Sequence, residues 1–138
     1  MITPDSERTM CTFLGTAGKV NDEDVDSDLI KKSEITFLEG YLWDEGEPKK
    51  AFDKAIINAN KVAMSLSDLF CVERHKAQFL ELVKNKLDII FANEQEILSV
   101  LEAKSFDETV TLLKNLNKNF VITRGEKGAI AFDKGEVI

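Results

Sequence analysis

A chain of 138 residues with 43% hydrophobic content has the size of one domain and the composition of a globular protein able to bury a core. Its formal charge of −7, with acidic and basic residues interleaved and no basic stripe, argues against nucleic acid as a partner, which needs a Lys/Arg footprint. No apolar run approaches the roughly 18 residues of a membrane span, and the start lacks the basic and apolar regions of a signal peptide. No membrane partner and a cytoplasmic location are therefore expected. Cys11 and Cys71 stand alone, without CxxC or Cys/His ligand spacing, so they read as reduced thiols and signal neither zinc nor a disulfide framework.

In chain order, residues 7–15 (ERTMCTFLG) read as a strand on the β-propensity of Thr9, Thr12 and Phe13, closed by the glycines at 15 and 18. Residues 21–32 are acidic at the start and basic at the end, with Val25, Leu29 and Ile30 as an apolar stripe, which predicts a surface helix. A second strand over 35–42 runs into a turn at 43–46. Pro48 then suits the first position of a helix over 47–60, whose Ala51, Phe52, Ala55, Ile56 and Ala59 recur at helical spacing. A third strand over 61–66 precedes a helix over about 73–86 that should bury Ala77, Leu80 and Val83.

Residues 88–92 (DIIFA) are short, β-branched and aromatic, and predict a buried strand feeding a helix. Ser105 and Glu108 fit a capping box opening a helix through Val110, Leu113 and Leu116. The fifth strand spans 120–122, and residues 129–133 and 136–138, separated by Lys134-Gly135, predict a hairpin. Strands alternating with helices mean βαβ units, a mostly parallel sheet and right-handed crossovers.

The strands share a grammar: an apolar run stops at polar residues. Residues 35–38 end at Glu39-Gly40, 61–64 at Ser65 to Asp68, 88–92 at Asn93-Glu94-Gln95-Glu96, and 120–122 at Thr123-Arg124-Gly125. In open parallel α/β sheets the C-terminal edge gathers loops and helix N-termini and is where ligands bind. The tips are therefore expected to share one site, with Glu39, Asp68, Asn93 and Thr123 at one sheet edge.

Each candidate also has a plain structural reading. Asn93 as N-cap with Glu96 at N3 is a capping box, which alone would justify both residues. Functionally, the amide and carboxylate would organise water around a divalent cation on a nucleotide phosphate, since Mg²⁺ commonly keeps several waters. The two readings are compatible. Gly125 and Gly128 allow backbone N–H groups to approach phosphate oxygens, though Gly-x-x-Gly beside a hairpin is also ordinary turn chemistry. Glu39, a carboxylate where a strand leaves the core, is suited either to hydrogen-bonding hydroxyls or to a helix-cap or salt-bridge role. His75, in a charged helix start, reads as solvated rather than as a catalytic base.

Together, TPDSERTMCTFLG (3–15), FLEGYLWD (37–44), LSDLFCVERH (66–75), FANEQE (91–96) and VITRGEKGA (121–129) resemble the PfkB carbohydrate kinase family, of ribokinase-like fold, and most its adenosine kinase-like members. The resemblance covers essentially all of the chain. It implies a three-layer α/β/α architecture with a mostly parallel central sheet, and ATP- and Mg²⁺-dependent phosphorylation of a hydroxymethyl group on a sugar or nucleoside. Carried over by position, Glu39 would touch the substrate and Asn93 and Glu96 form the NxxE motif, with Glu96 reaching the metal through water. Thr123 and Gly125 would contact ATP phosphates, and Gly128 would shape that loop.

Two hallmarks of the family are missing: the N-terminal glycine- and asparagine-bearing substrate segment, and the GAGD stretch that holds the general base and an anion hole. Residues 1–138 are accordingly expected to be a single domain forming the central segment of such a kinase, incomplete at both ends and without a catalytic base. Two alternatives stand beside an inactive kinase segment: a non-catalytic nucleotide-binding module, and an interaction fragment that self-associates through an exposed sheet edge. On the fragment reading, Phe13, Phe37 and Ile90 should be only partly buried within one copy.

Overall fold

A computed structural model describes residues 1–6, 8–43 and 47–138. Its centre is a six-stranded sheet in the sequential order β1 to β6: Thr36–Glu39, Val62–Ser65, Ile89–Asn93, Asn119–Thr123, Ala129–Asp133 and Glu136–Val137. β1 to β4 are parallel, and β5 and β6 are antiparallel additions. The hairpin between β5 and β6 turns on Lys134 and Gly135, both with positive φ (49° and 86°), a pairing that matches the sheet's twist.

Helices fill the crossovers. α1 (Ser27–Lys32) precedes β1 and α2 (Pro48–Asn58) follows it; α3 (Leu69–Arg74) and α4 (Lys76–Asn85) link β2 to β3; α5 (Glu94–Leu101) and α6 (Phe106–Leu116) link β3 to β4. Each parallel crossover steps one strand in the same direction, so right-handed connections put α2 to α6 on one face. Beneath them lie Leu38, Met64, Ile90, Ala92, Phe120, Ile122 and Phe132, in register across the sheet and all buried. Phe52, Val72, Phe79, Val83, Ile97, Val100 and Leu113 close the core from above.

The opposite face has no helical layer among the described residues. Phe37 is 56% and Phe91 37% exposed there, their rings 6.1 Å apart across β2, with Ala63 buried beside them. Phe13 is likewise exposed, whereas Ile90, expected to be half-covered, is fully buried because its alternate position on β3 faces the helices. Of the three layers expected of the fold, this chain supplies the sheet and one helical layer.

Several expected elements change at their ends. The described part of 7–15 forms no strand; Arg8 makes an isolated bridge to Ile2, and Gly15–Lys19 is a 3₁₀ turn. Its β-propensity finds no neighbouring strand, and propensity without a paired edge does not make a sheet. The helix expected over 21–32 is a 3₁₀ turn at Asp22–Asp24 followed by α1. The break falls at Val25, and the helix restarts where the Asp26 carboxylate accepts the Asp28 and Leu29 N–H groups. β1 ends at Glu39, and Gly40–Trp43 coils into a 3₁₀ turn; the remainder of the turn expected at 43–46 lies outside the described residues. The helix expected at about 73–86 begins earlier, at Leu69 under an Asp68 cap, and is interrupted at His75. Val83 is buried and Leu80 packs against the core as expected, but Phe79 and Leu82 fill the rest of the buried face and Ala77 is left exposed.

Neighbouring residues of β3 therefore have opposite roles. Ile90→Ala should lower the urea-unfolding free energy by about 2–5 kcal/mol, the usual cost of emptying a core position. Phe91→Ser should cost less than Ile90→Ala, because the Phe91 ring is already 37% exposed and leaves no enclosed cavity. Equal losses from both would contradict the one-sided core.

Candidate active site at the strand tips

Parallel strands end together, and the register shows where. Glu39 pairs with Ser65 and Asn93 with Thr123, so the tips of β1 to β4 form one edge, with Asp68 at the start of α3 on the same side. The four residues expected to share an edge do so.

At the β1 tip, the Ser67 hydroxyl donates to Glu39 Oε1 and accepts the Tyr41 N–H at 3.1 Å. Ser67 holds this bridge at φ 76°, a conformation costly for a residue with a Cβ. Gly40 lets the two loops meet: a Cβ there would lie 2.8 Å from the Ser65 carbonyl oxygen and 2.9 Å from Ser67 Oγ. The Cys71 thiol donates to the Gly40 carbonyl oxygen from below, a structural use for this buried cysteine.

At the β3 tip, the capping box is complete. Asn93 Oδ1 accepts the Glu96 N–H at 2.8 Å, the Asn93 N–H donates to Glu96 Oε2 at 2.9 Å, and Asn93 Nδ2 donates to Glu96 Oε1 at 2.6 Å. Glu96 is 4% exposed. Burial, aided by the charges of Asp68 and Glu39, raises its pKa above the ordinary glutamate value even though its backbone hydrogen bond to Asn93 opposes the shift. Tyr41 is pushed up as well, first by burial and then by Asp68, Glu39 and Glu96. Negative charge thus accumulates at the middle of the edge.

The β4 tip is positive. Thr123 is exposed, and the chain turns at once through the 3₁₀ turn Gly125–Lys127. Gly125 (φ 60°) and Gly128 (φ 79°) both adopt backbone that favours glycine, and the loop closes where the Arg124 N–H donates to the Gly128 carbonyl at 2.8 Å. Between this loop and the start of α5 lies a cleft of about 420 Å³, lined by residues that include Asn93, Leu98, Thr123, Gly125 and Lys127. A second cleft, about 600 Å³, lies where residues 10–15 approach Tyr41, Asp68 and Arg74.

Expected site residues fall into two neighbourhoods on this edge. Asn93, Thr123 and Gly125 line one cleft, with Glu96 buried beneath its Asn93 wall, while Glu39 stands at the other end beside Ser67. Gly128 closes the loop from outside the cleft. Among the described residues no group of three or more His, Cys, Asp or Glu side chains could hold a metal ion, and both Glu96 oxygens already accept from Asn93. A cation at this edge would therefore be held mainly by water and phosphate, as suits Mg²⁺. The individual strand tips gave no sign that Ser67 would tie Glu39 to Tyr41, or that Arg124 would reach Glu94. Both are contacts between loops remote in sequence.

The fold class is an open, mostly parallel α/β sheet with clefts at its C-terminal edge, the place where such sheets bind ligands. The sequence profile of the pfkB family carbohydrate kinases matches residues 1–138, and the chain belongs to that family. Adenosine kinase from Sinorhizobium meliloti is 38% identical with a TM-score of 0.80, over 88% of this chain and 38% of that one. A probable sugar kinase from Rhizobium etli CFN 42 is 35% identical with a TM-score of 0.77, over 86% of this chain and 38% of that one. The fold alone is shared with a putative ribokinase II from E.coli solved with ATP and Mg²⁺, 14% identical with a TM-score of 0.71, over 86% of this chain and 41% of that one. No curated protein matches the chain. The chain thus spans 38–41% of the length of these three structures, and its fold is ribokinase-like. No helix among the described residues is long and apolar enough to cross a membrane.

The raised pKa of Glu96 has a direction in stability. The folded state keeps a proton that the unfolded chain releases, so this group's contribution is complete below the unfolded value and is lost as pH rises through the raised folded one. Glu96→Gln retains a residue able to serve in the capping box but cannot ionise. Its unfolding midpoint in urea should therefore improve relative to the native chain as pH is raised from about 4 through the folded pKa. A pH-independent difference between the two would refute the assigned burial effect.

Proposed function

We propose that this chain forms the phosphate- and acceptor-binding edge of an ATP- and Mg²⁺-dependent kinase acting on a sugar or nucleoside hydroxymethyl group. The observation that carries the proposal is the in-register pairing of Asn93 with Thr123, which puts the NxxE cap and the glycine loop on two walls of one cleft. Thr123 Oγ1 and the Gly125 N–H would donate to phosphate oxygens, with Gly128 fixing the turn between them. Asn93 and Glu96 would hold water on Mg²⁺, whose charge offsets the carboxylates of Glu39, Asp68 and Glu96. ATP supplies the phosphoryl group when bound. Three strand steps of about 4.8 Å separate the β4 tip from Glu39, so the acceptor hydroxyls that Glu39 would bind lie about 14 Å across the edge.

Phosphoryl transfer rests on positioning and on charge stabilisation. The chain has positioning groups, but no GAGD run from which a general base and anion hole would come. Its expected behaviour is binding without appreciable turnover, in the cytoplasm. The bare face around Phe37 and Phe91, with the free edge of β1, favours a second role: self-association, or cover by another polypeptide segment.

Calorimetric titration with Mg·ATP should give saturable binding. A coupled assay with ribose, fructose 6-phosphate or adenosine should give rates lower by about 10²–10⁴-fold than a kinase with its general base. Turnover within the usual kinase range of about 1–100 s⁻¹ would overturn the assignment of the base to a segment outside this chain.

A further inference from the structure

Arg124 stands at the junction of three elements. Its Nε–H donates to Glu94 Oε2 at 2.8 Å, joining the glycine loop to the first residue of α5, and its Cζ lies 3.6 Å from the ring centroid of Phe106, the first residue of α6. The pair is partly shielded, with side chains 23% and 29% exposed, and Arg124 holds the Glu94 carboxyl below the usual glutamate range. A guanidinium pressed against a ring and hooked at Nε has little freedom left.

That fixation consumes one of five N–H donors. The remaining donors have no partner among the described residues, and they are not sealed in the core: the buried side-chain polar atom without a partner is Thr36 Oγ1. Arg124 itself lines the cleft between Asn93 and the glycine loop. Lys127 adds a second positive charge to the same wall, against Glu94 already paired and Glu126 exposed in the loop.

We propose that Arg124 is a phosphate-contacting residue, aligned by Glu94 and Phe106 so that its terminal amino groups meet the polyphosphate of a nucleotide in this cleft. The inference rests on the kinase reading of the site and deepens it. A planar guanidinium matches phosphate oxygens in pairs, which an ammonium does not, so geometry as well as charge is being supplied. Glu94 and Phe106 act through Arg124 and are positioning residues.

The test is calorimetric titration of the whole chain with Mg·ATP, inorganic tripolyphosphate and AMP, with thermal unfolding of every variant followed by circular dichroism. Arg124→Ala, and Arg124→Gln, which keeps a donor at the Nε position toward Glu94 but lacks the terminal amino groups, should each weaken ATP and tripolyphosphate by about 10- to 100-fold, the worth of a charged hydrogen bond. AMP should change by less than about 3-fold, since it lacks the polyphosphate. Arg124→Lys should recover only part of the loss. Folded Arg124→Gln that binds tripolyphosphate as the native chain does, or that loses AMP as steeply as ATP, would overturn the proposal. If the native chain binds neither ATP nor tripolyphosphate, the kinase-site reading falls and this one with it; if it binds both and Arg124→Gln matches it, only the arginine's role falls.

Discussion

Handedness is the constraint from which most of this structure follows. Three parallel crossovers each step one strand in the same direction, and a right-handed connection can then lay its helices on only one side of the sheet. The same topology brings every parallel strand tip to one edge, so chemistry carried by residues 39, 68, 93 and 123 converges there, with Asn93 and Thr123 in register on adjacent strands. It also leaves Phe37, Phe91 and their neighbours without a covering layer. Site and bare face are two results of one rule. Fold switching of crossover direction, the device by which doubly wound sheets cover both sides, does not occur within β1 to β4.

Charge is divided along the edge. Glu39, Asp68 and Glu96 gather at the β1 to β3 tips, where burial first and the neighbouring carboxylates second make Glu96 resist ionisation, while Arg124 and Lys127 stand at the β4 tip. Burial of Glu96 would be a liability without Asn93, whose backbone N–H and side-chain Nδ2 each donate to one of its oxygens. A cation placed near these carboxylates would relieve their mutual repulsion and lower the cost of ionising Glu96. The anionic end of a nucleotide would meet the opposite sign at the glycine loop.

Periodicity and strand-tip composition were legible where each depends on local physics. Ala51, Phe52 and Ala55 lie buried on α2 as their spacing predicts, and Asn93 and Glu96 form the box their separation predicts. Residues 8–15 misled because β-propensity says nothing about whether a partner strand exists. On α4, Val83 and Leu80 face the core as their spacing predicts, but Ala77 does not, because the interruption at His75 puts it in the first turn of a new helix, and no Pro or Gly announces that break. Ile90 was misassigned for another reason: an apolar strand run does not say which of its alternating residues faces the helices. The Glu94–Arg124 pair, 30 residues apart, and the stacking on Phe106 depend on register and crossover, which no local pattern encodes.

The NxxE cap illustrates why structural and functional readings of a motif need not compete. An N-cap must present an oxygen to backbone N–H groups, and the N3 carboxylate must return to the cap; this fixes both side chains at the strand tip before any ligand arrives. Polar groups held in place cost no reorganisation when charge develops beside them. The carboxylate oxygens of Glu96, already accepting from Asn93, retain lone pairs suited to hydrogen bonds from metal-bound water rather than to direct coordination. Arg124 follows the same logic on the opposite wall, where a ring and a carboxylate hold a cation whose outer donors stay open. In both cases the contacts that stabilise the loop are those that aim it.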